Sequence, residues 1–146
     1  MQFFEDLAPG QKFASPAVTV DAAMIKGFAR EFDPQPFHLD EQAAEKSLFG
    51  GLAASGWHTA ALTMRLCVTS DFRPANGIIG GGGELAWTKP VRPGDTLRVE
   101  IEILDTRSSR SRPQQGVVKL RITTMNQHGD TVQTFSPTLL VDRRPL

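Results

Sequence analysis

Between Leu52 and Val68 the chain carries no Asp or Glu, and Arg65 is its only Arg or Lys. Leu52, Trp57, Ala60, Ala61, Leu62, Met64, Leu66, Cys67 and Val68 occupy nearly every angle of a helical wheel. A helix apolar on all sides has to be buried on most of them, so the rest of the chain must wrap around it. The pair Gly50-Gly51, after Phe49, breaks the chain just before this segment.

The downstream half supplies the wrapping. Thr96 to Thr106 alternates, with Leu97, Val99, Ile101 and Ile103 on one face, and Val118, Leu120 and Ile122 alternate in the same way. This period of two marks half-buried strands. Gly77 to Lys89 is Gly-rich and then alternates; Val132, Thr134 and Ser136 alternate less clearly before Leu139 to Val141. Pro93-Gly94-Asp95 and Gln127-His128-Gly129-Asp130 read as hairpin turns, and Ser108 to Gln115 as an exposed basic loop. Upstream, Val18 and Val20 form a short strand. Asp21 is placed to cap a helix to about Phe32, with Ile25, Phe28, Ala29 and Phe32 on its apolar face. Asp40 caps a short helix through Glu45. The expected class is α+β, an antiparallel sheet wrapped around a long central helix.

Bulk properties narrow the function classes. The length of 146 residues suits one domain spanning 1–146. Lys+Arg and Asp+Glu number 16 each, which leaves no electrostatic footprint for nucleic acid or an anionic membrane. No run approaches the ~20 apolar residues of a membrane span, and the N-terminus does not read as a secretory signal. Cys67 is the only cysteine, so an intramolecular disulfide and a cysteine zinc cluster are excluded and a cytoplasmic setting is expected. His38, His58 and His128 have no metal-ligand spacing.

Asp33-Pro34-Gln35-Pro36-Phe37-His38 is the segment that can carry chemistry. Both prolines restrict the residue before them and stiffen the loop, fixing where the two side chains point. A carboxylate beside an imidazole can hold a water, remove one proton and return another. The competing reading has Asp33 capping a turn and His38 on the surface. Gly56 lies near the start of the apolar helix, where free N–H groups can polarise a carbonyl oxygen; a glycine there equally permits close packing.

The Asp33–His38 segment followed by Ala44 resembles the Asp-x-Asn-Pro-aliphatic-His-x5-Ala/Ser signature of (R)-specific enoyl-CoA hydratases and MaoC-like dehydratases. Gly77-Ile78-Ile79, then Trp87-Thr88-Lys89-Pro90-Val91-Arg92-Pro93-Gly94-Asp95, is similar to the strand–turn–strand that follows the central helix in that family, and Phe4 to Gln11 to its usual start. The resemblance implies a hotdog fold, a homodimer or higher oligomer, and an acyl-CoA or acyl-carrier thioester as substrate with no separate cofactor. It implies Asp33 and His38 as the catalytic pair that activates water for a 2,3-enoyl thioester, and the Gly56 N–H as the donor to the thioester carbonyl. Gln35 replaces the usual Asn, Phe37 an aliphatic residue, Ser55 a frequent His before the helix glycine, and Met64 a supporting Ser.

Ser55, Gly56, Trp57 and His58 are the substrate-binding candidates. Trp57 would set the depth of the acyl site or pack in the core; His58 would line that site or serve as a hydrogen-bonded structural histidine. Arg107, Arg110 and Arg112 would meet coenzyme A phosphates or form a solvated loop. Gly80 to Gly83 lacks the following Lys-Ser/Thr of a phosphate loop and suits close approach by the central helix, the thioester arm or another packed segment. Two alternatives stand beside the hydratase: a hotdog thioesterase, disfavoured because residues 52–68 hold no carboxylate, and a non-catalytic thioester-binding subunit, disfavoured by the intact Asp33/His38 pair.

Overall fold

The computed structural model describes residues 1–146. A 3-10 turn at Phe4–Asp6 leads into strands β1 (Lys12–Ala14) and β2 (Val18–Thr19), then helices α1 (Ala22–Phe32), α2 (Pro36–Leu39), α3 (Glu41–Glu45) and α4 (Gly56–Val68). Four long strands follow: β3 (Ile79–Trp87), β4 (Thr96–Ser108), β5 (Gln115–Met125) and β6 (Thr131–Asp142). They form one antiparallel sheet in the order β1-β4-β5-β6-β3, with β2 pairing the end of β4. This is the α+β hotdog fold.

The alternation read from β4 and β5 is what builds the core. Leu97, Val99, Ile101 and Ile103 of β4 and Val118, Leu120 and Ile122 of β5 are buried, and they share one cluster with Leu62, Leu66 and Cys67 of α4. Outward-facing Arg98 of β4 and Lys119 and Arg121 of β5 are exposed. Burial holds the Cys67 thiol up at about 12, so it is inert packing. No helix is long and apolar enough to cross a membrane.

Several expectations need correction. The central helix begins at Gly56; Leu52 to Ser55 is buried but non-helical, because the Ala53 and Ala54 N–H groups bond to Phe37 and Val91 instead of to a preceding helical turn. Nor is α4 enclosed on most sides: Trp57, Ala61, Met64 and Val68 form an exposed stripe along one face. In α1, Ile25 and Ala29 are buried but Phe32, on the last turn, is exposed and meets only Phe28 among aromatic rings. The stretch read as a stiff loop is helical from Pro36, which opens the short α2 at its first position, where a missing N–H costs nothing. The strand β1 carries no alternation long enough to be read in advance; its edge pairing with β4 creates it.

The glycine run belongs to β3. A Cβ on Gly83 would lie 2.5 Å from the Ser136 carbonyl oxygen and 2.6 Å from the Pro137 Cα, so glycine is required by close approach of the β6 backbone. The register of β3 on β6 slips between Gly80 and Gly83, and Gly82 takes a positive φ of 141°, consistent with a bulged strand. Replacing Gly83 by Ala therefore forces β3 away from β6. The expected cost is ~1–3 kcal/mol of stability, read from the urea unfolding midpoint, with an unchanged midpoint as the contrary result.

Candidate active site

The site begins where α1 ends. Asp33 leaves the helix with φ −153° and ψ 67°, and the N–H of Gln35 returns to the Asp33 carbonyl at 2.8 Å, a tight turn around Pro34. α2 follows at once and carries His38 inward. His38 is buried, and its Nε2 lies 3.2 Å from Oδ2 of Asp33. The ring packs edge-on to Phe37, with centroids 4.6 Å apart, and near Phe49 at 5.9 Å. The surface reading of His38 is thus overturned, and the two prolines do bring the pair together.

The proton on His38 can be placed from its partners. Nδ1 stands 2.6 Å from the Ala53 carbonyl oxygen, which only accepts, so Nδ1 carries hydrogen. In a neutral ring Nε2 is then an acceptor facing a carboxylate. The 3.2 Å contact gives a direct route for a proton between the ring and the carboxylate. Asp33 has other donors. The Gln35 amide donates to Oδ1 at 2.6 Å, and the Ser55 hydroxyl lies near enough to act on the carboxylate as well. Burial pushes the Asp33 carboxyl up, but the nearby Ser55 hydroxyl, the bond from Gln35 and the charge of His38 outweigh it and hold it below the usual range.

Ser55 is itself fully buried and caps α4, accepting from the Trp57 N–H at 3.2 Å. Its carbonyl takes the N–H groups of His58 and Thr59. The Gly56 N–H is left as the one first-turn amide of α4 with no hydrogen bond. Gly56 and His38 line one cleft of about 350 Å³, together with Phe37, Phe49, Thr59 and Trp87. A carbonyl oxygen entering that cleft finds a free donor at a helix N-terminus, with His38 in the wall and Asp33 in contact with its Nε2.

The other candidates are distributed differently. Trp57 is 60% exposed, outside the cleft and outside the core, and packs edge-on against Trp87 at 5.1 Å. Ser55 supports Asp33 from behind the wall. His58 is buried but does not line the cleft; its ring stacks on Phe28 at 4.6 Å, and Nδ1 has no hydrogen-bond partner, so neither expected role fits. Arg107 borders a separate concavity with Gly81 to Gly83, and Arg110 and Arg112 are exposed on the β4–β5 loop. His128 is exposed in its turn.

Two residues that sequence reasoning missed shape the site. Arg92 donates to the carbonyls of Gly51 and Phe49, and at 3.4 Å to that of Leu52, clamping the segment that carries Phe49 and leads to Ala53. Trp87 forms part of the cleft itself. The only signal in the sequence was the position of both beside the Pro93-Gly94 turn.

Burial lowers the pKa of His58, so the folded protein disfavours its charged form. The unfolded chain then binds the proton more readily, and stability contributed by neutral His58 is present above the unfolded pKa of ~6.5 and lost as pH falls through it. Urea midpoints should decline between pH 7.5 and 5, and His58→Phe, which keeps a ring against Phe28, should flatten that decline; an equally steep slope in the variant would contradict the assignment.

Residues 5–134 match the family described as MaoC like domain. The chain is 34% identical over 125 residues to the uncharacterized protein YdeM of Bacillus subtilis, covering 84% of this chain and 86% of that one. It is 31% identical over 109 residues to the (R)-specific enoyl-CoA hydratase of Rhodospirillum rubrum, covering 70% of each. The solved MaoC-like dehydratase from Rhodospirillum rubrum superposes with a TM-score of 0.97 at 57% identity, over 100% of both chains.

Proposed function

The chain belongs to the MaoC-like dehydratase family, and from that premise we infer that it is an acyl-thioester hydro-lyase, reversibly adding water to a 2-enoyl-CoA to give a 3-hydroxyacyl-CoA. The observation that carries this reading is His38, paired with Asp33, in the wall of a cleft that also holds the free Gly56 N–H. The 31% identity to an (R)-specific enoyl-CoA hydratase supports the same chemistry.

In the forward direction the thioester carbonyl accepts from Gly56 N–H, and the helix N-terminus stabilises negative charge as the C2–C3 double bond becomes an enolate. A water held between Asp33 and His38 Nε2 adds its oxygen to C3. Asp33, kept ionised by Ser55 and Gln35, takes the water's proton, and the pair returns a proton to C2. Water addition leaves the net oxidation state unchanged, so no redox cofactor enters. The Nδ1 bond to Ala53 keeps the imidazole from rotating while the proton moves. The carrier on the thioester is coenzyme A in this reading, with an acyl carrier protein as the other source of the same group.

A homodimer belongs to the proposal. β3 pairs only with β6, leaving its other edge free, and nearly all its residues are exposed. Beside it runs the α4 stripe of Trp57, Ala61, Met64 and Val68. An unpaired edge next to an apolar stripe is satisfied by a second copy of the same surface. A cytoplasmic setting is proposed with it, supported by Cys67 being the only cysteine.

The test follows loss of the enoyl-thioester absorbance over trans-2-enoyl-CoA substrates. Asp33→Asn and His38→Ala should each lower kcat by at least ~10²-fold while unfolding cooperatively; full activity in either variant would remove that residue from the chemistry. Ser55→Ala removes a hydroxyl that lowers the Asp33 pKa, so the acidic limb of the kcat/KM profile should move to higher pH. An unmoved limb would show that Ser55 does not tune Asp33.

A further inference from the structure

Gly56 is a glycine because Trp87 lies on it. A Cβ there would stand 2.5 Å from Cε2, 2.7 Å from Cδ2 and 2.8 Å from Cζ2 of the indole. The ring therefore covers the backbone of the residue whose N–H is the free donor of the cleft, and it forms part of the cleft wall.

The indole is not held by packing alone. Its Nε1–H donates to Oε1 of Gln133 at 2.9 Å; the Gln133 amide donates to Thr63 Oγ1 at 3.1 Å, and Thr63 meets Thr124 Oγ1 at 2.7 Å. Trp87, Gln133 and Thr124 are register partners across β3, β6 and β5, and Thr63 comes from α4. Gln133 and Thr124 are fully buried. Gln133 reaches this row through a register shift: Thr124 pairs with Gln133 but Met125 with Thr131, so Val132 is the extra residue of a bulge. A buried glutamine whose oxygen and nitrogen are both satisfied has one orientation, and it hands that orientation to Trp87.

We propose that Trp87 is the specificity-determining wall of the acyl site, limiting the thioester to short acyl groups, and that Gln133 is its positioning residue. This rests on the thioester reading above. An acyl carbonyl on the Gly56 N–H has the indole alongside it, so carbons beyond the reacting C2 and C3 meet the ring before they gain depth. Removing the ring while keeping the Gly56 donor opens that direction. Each further methylene buried is worth ~0.8 kcal/mol, about fourfold in affinity.

Calorimetric binding of butanoyl-CoA and octanoyl-CoA tests this without requiring turnover. The wild type should prefer butanoyl-CoA. Trp87→Ala should shift the ratio of affinities towards octanoyl-CoA by ~10-fold or more, the worth of about two methylenes, while Trp87→Phe, which keeps most of the bulk, shifts it far less. Gln133→Met keeps the length and removes the acceptor; it should move the ratio in the same direction by a smaller factor and leave the pH profile of enoyl-CoA hydration unmoved. An unchanged ratio in a cooperatively folded Trp87→Ala overturns the proposal. If that variant does not fold, an unchanged ratio in Gln133→Met overturns it. Failure of the wild type to bind either thioester overturns the wall together with the thioester site. Selective binding with no hydration of any enoyl-CoA would instead leave the wall standing and sink the hydratase reading.

Discussion

Four buried residues outside any helix or strand, Leu52 to Ser55, are what the site hangs from. A buried strand of chain with no neighbouring ladder has to place every polar group somewhere. Here each placement is a structural decision. Ala53 accepts from His38 Nδ1 and donates to the Phe37 carbonyl, fixing both the histidine and the helix that carries it. Ala54 donates to Val91, tying the segment to the turn that follows β3. The Leu52 carbonyl shares Arg92 with Gly51 and Phe49. Ser55 ends the segment by capping α4 and sets its hydroxyl near the Asp33 carboxylate. The Asp33 carboxylate, the His38 imidazole and the free Gly56 amide all lie against one short piece of chain, so they cannot move independently.

The two buried histidines show how partners decide what a group can do. His38 has both ring nitrogens engaged, by a carbonyl and by a carboxylate. His58 has an aromatic face beneath it and an orphaned Nδ1. Similar burial therefore yields a ring tied at both nitrogens in one case and an unpartnered, neutral-favouring ring in the other. Spacing in the sequence could not separate them, because the deciding atoms, the Ala53 carbonyl and the Phe28 ring, are 15 and 30 residues away.

Much of the architecture was nevertheless legible. The alternation in β4 and β5 reports which face is buried, and the Pro34/Pro36 loop reports a rigid link between Asp33 and His38. What stayed hidden was whatever depends on register. Trp87 and Trp57 look equivalent as large aromatics flanking the same region, yet only Trp87 has Gln133 directly across the sheet, and only Trp87 enters the cleft. The start of α4 was misplaced for a related reason: Leu52 to Ala54 are as apolar as the helix, and burial alone does not distinguish a helical residue from an extended one.

The unpaired Val132 has a consequence for how this chain can change over time. Side chains along a strand alternate in parity, and one extra residue inverts that parity for everything beyond it. Substitutions at Val132 leave the count intact and test only how well a side chain packs. Loss of a single codon there would turn Gln133 and its successors to the opposite face, or drag the strand out of pairing, in one step. The position should thus tolerate replacement far better than deletion, and relatives aligned through β6 without regard to the bulge would have inward and outward residues exchanged.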